Sequence, residues 1–164
     1  MASYLPVITF GLFPFSQHAA MNVKGELLDL FRRILQSLDR MALAPCLRAF
    51  ILAVLPGLED VNGEFFEDSM TLFKIMRETA GPQLFWCDTF LVILDRTQWT
   101  LCALLLIQQQ MPKWSSREQW IDSITPTGVM LLHNAIIYAL QDSSGLVVRH
   151  ALEVLVVHAP LHLS

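Results

Sequence analysis

Every long apolar segment of this 164-residue chain repeats at the three-to-four-residue spacing of a helix, and none sustains the strict alternation of a half-buried strand. That pattern leaves helix packed on helix as the architecture, because a chain without strand periodicity has no sheet to serve as a layer. Residues 22–38 are the clearest case. Val23, Leu27, Leu30, Phe31, Ile34 and Leu38 form one stripe, widened by Leu28 and Leu35, while Lys24, Glu26, Asp29, Arg32, Arg33 and Gln36 face away. Asn22 suits the cap of the first turn.

The pattern recurs along the chain. A second helix opens with Pro45 in its first turn, carries Leu47, Phe50, Ile51, Val54 and Leu55, and stops at Pro56-Gly57. A third starts at Asn62, buries Phe66, Met70, Phe73 and Met76, and ends at Gly81-Pro82. Residues 84–94 and 99–107 are apolar on nearly all sides, as helices enclosed by neighbours are. Ser115-Ser116-Arg117-Glu118 fits a capping box, and Thr125-Pro126 a cap followed by proline at the first helical position, leading into residues 129–140. A turn at Asp142-Ser143-Ser144-Gly145 precedes the last helix, residues 146–157.

The pair starts near Asn22, Asn62, Trp99 and Thr127 are spaced by roughly 30–40 residues, as in helical solenoids. Asp142 in a turn, followed by Val148-Arg149 and Ala151 and then Leu155, resembles the second helix of a HEAT repeat, where the turn aspartate and helix arginine hydrogen-bond along the stack. The expected fold is all-α, with antiparallel helix pairs stacked as a HEAT/armadillo-like α-solenoid.

Composition narrows the function classes. Apolar residues make up 54% and charged residues 16%, against roughly 45–50% and about 25% in ordinary soluble domains, which excludes intrinsic disorder. Net charge is −4, so no basic footprint for nucleic acid exists. Mean hydropathy is +0.46, yet no run of about 18 apolar residues occurs, and no membrane span is expected. Residues 5–15 are greasy enough for a signal core, but the first charge is Lys24, so the chain reads as cytosolic. Cys46, Cys87 and Cys102 lack disulfide or zinc spacing and read as three reduced core thiols.

Catalytic constellations are not found. His158 and His162 stand four apart, but Pro160 between them spoils the shared helical face that a metal pair needs. There is no HExxH, GxSxG, Walker-type phosphate loop or GxGxxG. Asp88 and Asp95 read as two solvated or capped acids rather than an acid–base pair. No enzyme, no metal and no cofactor are expected.

Charge placement says more than charge total. Residues 1–48 carry five bases against three acids, whereas residues 49–73 carry Glu59, Asp60, Glu64, Glu67 and Asp68 and no base. Acids at a helix start meet the helix dipole favourably, and the same cluster is also an acidic patch for a basic partner. Arg32-Arg33 suits a solvated face or a contact with anionic headgroups. Trp86 and Trp99 fall on buried stripes, and Trp114 and Trp120 are candidate interaction anchors. The candidate partner contacts are Arg32, Arg33, Glu64, Glu67 and Asp68.

Four blocks stand together in order and spacing: Gly11-Leu12-Phe13-Pro14-Phe15, Ala19-Ala20-Met21-Asn22-Val23-Lys24, Val54-Leu55-Pro56-Gly57-Leu58-Glu59-Asp60 and Ala139-Leu140-Gln141-Asp142-Ser143-Ser144-Gly145-Leu146-Val147-Val148-Arg149, with Ala159-Pro160-Leu161-His162 closing the chain. In these residues 11–164 resemble the later half of the N-terminal domain of the Dopey family, while residues 1–10 do not align. The resemblance implies a non-enzymatic scaffold in Golgi-to-endosome transport and retrieval, peripheral on the cytosolic face of Golgi, trans-Golgi network and endosome membranes. It implies as partners a large scaffold related to Sec7-type Arf exchange factors and a phospholipid flippase of the P-type ATPase class. It also implies that the chain is a slice of a far larger protein, with faces meant for neighbouring repeats, and so is aggregation-prone or oligomeric in isolation. The alternative reading of the greasy helices 84–107 and the seven methionines is a helical pocket for an apolar or lipid ligand.

Overall fold

The computed structural model describes residues 21–95, 98–113 and 117–158, and all regular structure among them is helical. The chain divides into two compact units, Met1–Gly81 and Pro82–Ser164. The Gly11–Phe15 and Ala159–His162 blocks, the Asn22 cap, the capping box at 115–118, Trp114, Trp120, His18 and His162 lie outside the described residues or side chains.

In the first unit, α1 (Met21–Ser37) follows the expected bounds to within one residue. Its buried line runs through Leu28, Phe31 and Leu35, so the stripe is centred one position round from the expected one. Val23 and Leu30 end up exposed at its edge. A short turn of helix, α2 (Arg40–Leu43), comes next. The Asp39 carboxylate caps it, accepting from the Ala42 N–H at 2.8 Å. Pro45 sits in a 3₁₀ turn (Ala44–Cys46), and α3 (Leu47–Val54) begins only after it. The chain does not stop at Pro56-Gly57, because a second 3₁₀ turn (Leu55–Leu58) carries it past the proline.

The expected start of the next helix at Asn62 is replaced by a turn. The Asp60 carboxylate accepts from the Asn62 N–H at 3.0 Å and the Asp60 carbonyl from the Gly63 N–H at 2.9 Å, so the local carboxylate competes with helix formation. Helix α4 (Phe66–Ala80) starts beyond it, with Glu67 and Asp68 in the first turn, and ends at Gly81, whose φ of 90° belongs to glycine. This helix is the hub of the unit: α1, α2, α3 and the Leu55–Leu58 turn all pack on it. Phe31 of α1 meets Phe50 of α3 edge to face at 5.7 Å. By length and hydropathy the 19 residues Arg40–Leu58 could cross a membrane, contrary to the expectation that no segment would. Over half of that stretch is buried inside the unit, and Pro45, Arg48 and Pro56 interrupt it, so packing accounts for its greasiness.

The second unit contains α5 (Pro82–Leu94), α6 (Thr100–Gln110), α7 (Arg117–Leu140) and α8 (Gly145–His158). Helix α7 packs along α5 and α8, and α6 along α8 and α5. Trp86 and Trp99 are core residues, as expected, and Trp86 lies against Phe85 and Phe90. Helix α7 is two helices joined at Thr125, whose φ of 65° and ψ of 158° break the ladder. The Thr125 hydroxyl accepts from the Gly128 N–H at 3.2 Å, so the expected cap followed by Pro126 is present. The aspartate and arginine of the HEAT-like string take other partners: Asp142 accepts from the Ser144 N–H at 2.7 Å, and Arg149 pairs with Glu153 at 3.1 Å.

Candidate functional site

The first unit carries a groove of about 170 Å³ between α1, the end of α3 and the segment leading into α4. Leu27, Leu28 and Phe31 form one wall, one helical turn apart on α1. Ala53 and Val54 form another, and Phe65 closes the third side. Among the described residues the rim is polar and mostly acidic, with Glu59, Asp60 and Glu64, all exposed, and one base, Lys24.

Local sequence explains this shape. Gly57 is needed because a Cβ there would collide with the Ser69 hydroxyl and stand 2.9 Å from its Cβ, so only glycine lets the 3₁₀ turn lie flat on α4. Asp60 closes the turn that follows, and Glu59 and Glu64, which flank that turn in sequence, both border the groove. An apolar slot with carboxylates at its edge can hold an apolar group and attract a cationic one.

The five candidate contact residues divide. Arg32 and Asp68 meet each other at 3.0 Å across α1 and α4, and Arg32 also reaches Asp29 at 3.3 Å. Arg33 is exposed on α1, and Glu67 and Asp68 sit where the dipole of α4 favours them. Glu64 alone of the five borders the groove. Sequence reasoning missed the apolar floor, whose residues lie in three separated segments, and it saw Glu59 only as part of an acidic run.

A family profile described as Dopey, N-terminal, matches residues 1–164. The chain belongs to the Dopey family. It is 30% identical over 162 residues to Protein DOP1B of Xenopus laevis, covering 99% of this chain and 7% of that protein. It is 32% identical over 160 residues to Protein pad-1 of Caenorhabditis elegans, with 96% and 6% covered. Against Protein DOP1 of Saccharomyces cerevisiae the identity is 24% over 115 residues, with 70% and 7% covered. The chain thus spans 6–7% of the length of these three relatives. No solved structure matches it.

Two of the blocks that carry the Dopey resemblance converge on the groove. Lys24 closes one block, and Val54, Pro56, Gly57, Glu59 and Asp60 come from the other. The second unit of this Dopey chain offers a different set of polar groups. Gln108 of α6 donates to the Glu153 carboxylate at 2.8 Å and accepts from the His150 ring at 2.9 Å. The Arg149 hydrogen bond holds the Glu153 carboxyl below its ordinary range, with smaller help from Gln108 and His150. His158 is buried and donates from Nδ1 to the Pro112 carbonyl at 3.2 Å. Burial pushes it below the usual histidine range. Burial pushes both Cys46 and Cys87 above the ordinary thiol range, away from reactive thiolate character. Cys46 and Cys102 lie in the core, as expected, and Cys87 is half-buried. Among the described residues no cluster of three His, Cys, Asp or Glu could hold a metal ion.

Proposed function

We propose that this chain is a docking module of a non-enzymatic scaffold in membrane trafficking, acting in Golgi-to-endosome transport and retrieval as part of a much larger protein. The observation that carries the reading is Dopey-family membership over the whole chain together with the convergence of two resemblance blocks on one surface groove. On this reading the protein is peripheral on the cytosolic face of Golgi, trans-Golgi network and endosome membranes. Its partners there are a scaffold related to Sec7-type Arf exchange factors and a P-type phospholipid flippase.

The ligand-carrier alternative rests on residues 84–107, none of which lines the groove. The groove itself, at about 170 Å³, is smaller than the roughly 300–1,000 Å³ of small-molecule sites. A surface that takes one side chain of a partner suits a scaffold. The test is localisation of a full-length relative whose segment equivalent to residues 21–158 is deleted, alongside co-purification of the exchange-factor-related scaffold. Loss of Golgi and endosome localisation or of the partner supports the reading. Unchanged localisation and unchanged co-purification overturn it.

A further inference from the structure

The groove in the first unit is specific in size and in charge, and the two together identify its occupant. A cavity on the order of 150 Å³ lined by Leu, Ile and Phe accepts a benzene ring. At about 170 Å³, with Leu28, Phe31, Val54 and Phe65 lining it, this groove is of the size to seat one large apolar side chain. Glu59 and Glu64 stand exposed at its mouth, where cations three or four residues from that side chain on a helix would reach them. Among the described residues, Lys24 is the only base on the rim.

We propose that this groove docks a short amphipathic segment of a partner protein, with one Phe, Leu or Met seated in the slot and flanking Lys or Arg residues paired with Glu59 and Glu64. The proposal deepens the docking-scaffold reading, since it takes the occupant to be a protein, and it names the chemistry that selects it. The apolar anchor supplies most of the affinity because it is the group fully removed from water. The carboxylates supply orientation and speed of encounter, and because they are exposed their contribution weakens with salt. A basic segment without an anchor, or an anchor without bases, meets only half of the site.

The experiment uses the full 164-residue chain and a fluorescein-labelled synthetic helical peptide with one central Phe and Lys or Arg three and four residues to either side. Fluorescence polarisation gives Kd, and methyl chemical shifts of Leu27, Leu28 and Val54 report occupancy of the slot. The peptide should bind and move those methyls. Replacing its Phe by Ala should weaken Kd about tenfold or more. The exposed rim variant E59K/E64K should weaken it to a similar degree, while E26K/E78K, with the same change in net charge at sites off the groove, should leave it within about twofold.

Several results overturn the proposal: equal binding of the Ala peptide, equal loss in the two charge variants, or binding that leaves the three methyls unmoved. Oleate shifting those methyls where the peptide does not would make the occupant a lipid. A concentration-dependent dimer that shields them would make it a second copy of the chain. These readouts involve no membrane or trafficking partner. Failure here leaves the trafficking proposal to its own localisation test, and failure there leaves this one standing.

Discussion

The two units use the same helix-on-helix architecture and differ in how densely they are charged and in what is built on their surfaces. Nine acids and seven bases lie before Pro82, against six acids and four bases from Pro82 onward, although the two stretches are nearly equal in length. In the first unit α1 and α4 are amphipathic, an ion pair joins them, and the solvent-facing feature is an acid-rimmed groove. In the second, α5 and α6 are greasy on nearly every side. Large apolar side chains are left outside singly in both units, Met41 and Val61 among them in the first and Met130, Ile137, Leu146 and Val156 in the second. A charged rim around a small slot is the signature of selective recognition, whereas scattered apolar exposure is what a packed helix array leaves without any site being built. The contrast is why docking is placed in the first unit.

If apolar packing carries the second unit, its largest loss should come from Trp86→Ala. Trp86 is 1% exposed and touches Phe85 and Phe90, so truncation should cost about 3–5 kcal/mol. Urea unfolding would show it, with amide-exchange protection falling along α5 and α7. A cost below about 1 kcal/mol would break the comparison, because the unit would then have something other than its aromatic centre holding it. In the first unit the corresponding sensitive point is a glycine. Gly57→Ala drives a methyl into Ser69 and should cost about 1–3 kcal/mol as overpacking. It should also deform the groove, so the Phe-bearing peptide should bind more weakly than its stability loss alone explains.

Much of this was readable from residue spacing. The period of α1 is clean, so its ends were placed to within a residue, and Thr125-Pro126 announced its cap because the local chemistry alone decides it. The start of α4 was misplaced because Asp60, Asn62 and Gly63 build a turn whose hydrogen bonds compete with a helix over the same residues. Asp142 and Arg149 suggested a pairing along the stack, and Ser144 and Glu153, nearer in sequence, took them instead. The groove was the least legible feature. Its walls come from three segments about 10 to 40 residues apart, which no local period encodes; only the acidic run on its rim showed in the sequence.

The break in α7 gives a smaller effect. Thr125 holds a backbone region that is essentially glycine's, at a cost of about 1–3 kcal/mol, while its hydroxyl caps the following helix. Thr125→Ala keeps the strain and loses the cap, whereas Thr125→Gly loses the cap and releases the strain. The glycine variant should therefore be the more stable of the two by about 1 kcal/mol in thermal unfolding.

A gentler effect should come from His158. Burial holds its folded pKa below the unfolded value of about 6.5, so the unfolded chain binds the proton more readily. Stability is then full above that value and declines as pH falls from it toward the folded pKa. His158→Gln should flatten the dependence of the urea midpoint on pH across this window. An equal slope in the variant would assign the dependence to other groups.

The smallest effect concerns Arg32, which the sequence nominated as a partner contact and the structure pairs with Asp68. Both side chains are partly exposed, at 33% and 55%, and such pairs contribute about 0.2–1 kcal/mol. The Arg32 Nε is buried with no hydrogen-bond partner among the described residues, which offsets part of the gain. A double-mutant cycle of Arg32→Met and Asp68→Asn should accordingly give a coupling energy at the low end of that range. The charge swap R32D/D68R separates structure from recognition. It restores the pair while moving both charges, so recovered stability with unchanged peptide affinity would make these residues a clasp between α1 and α4, and leave the groove's own rim as the recognising surface. Recovered stability with lost affinity would extend that surface along α1, and the division between a structural pair and a docking rim would have to be redrawn.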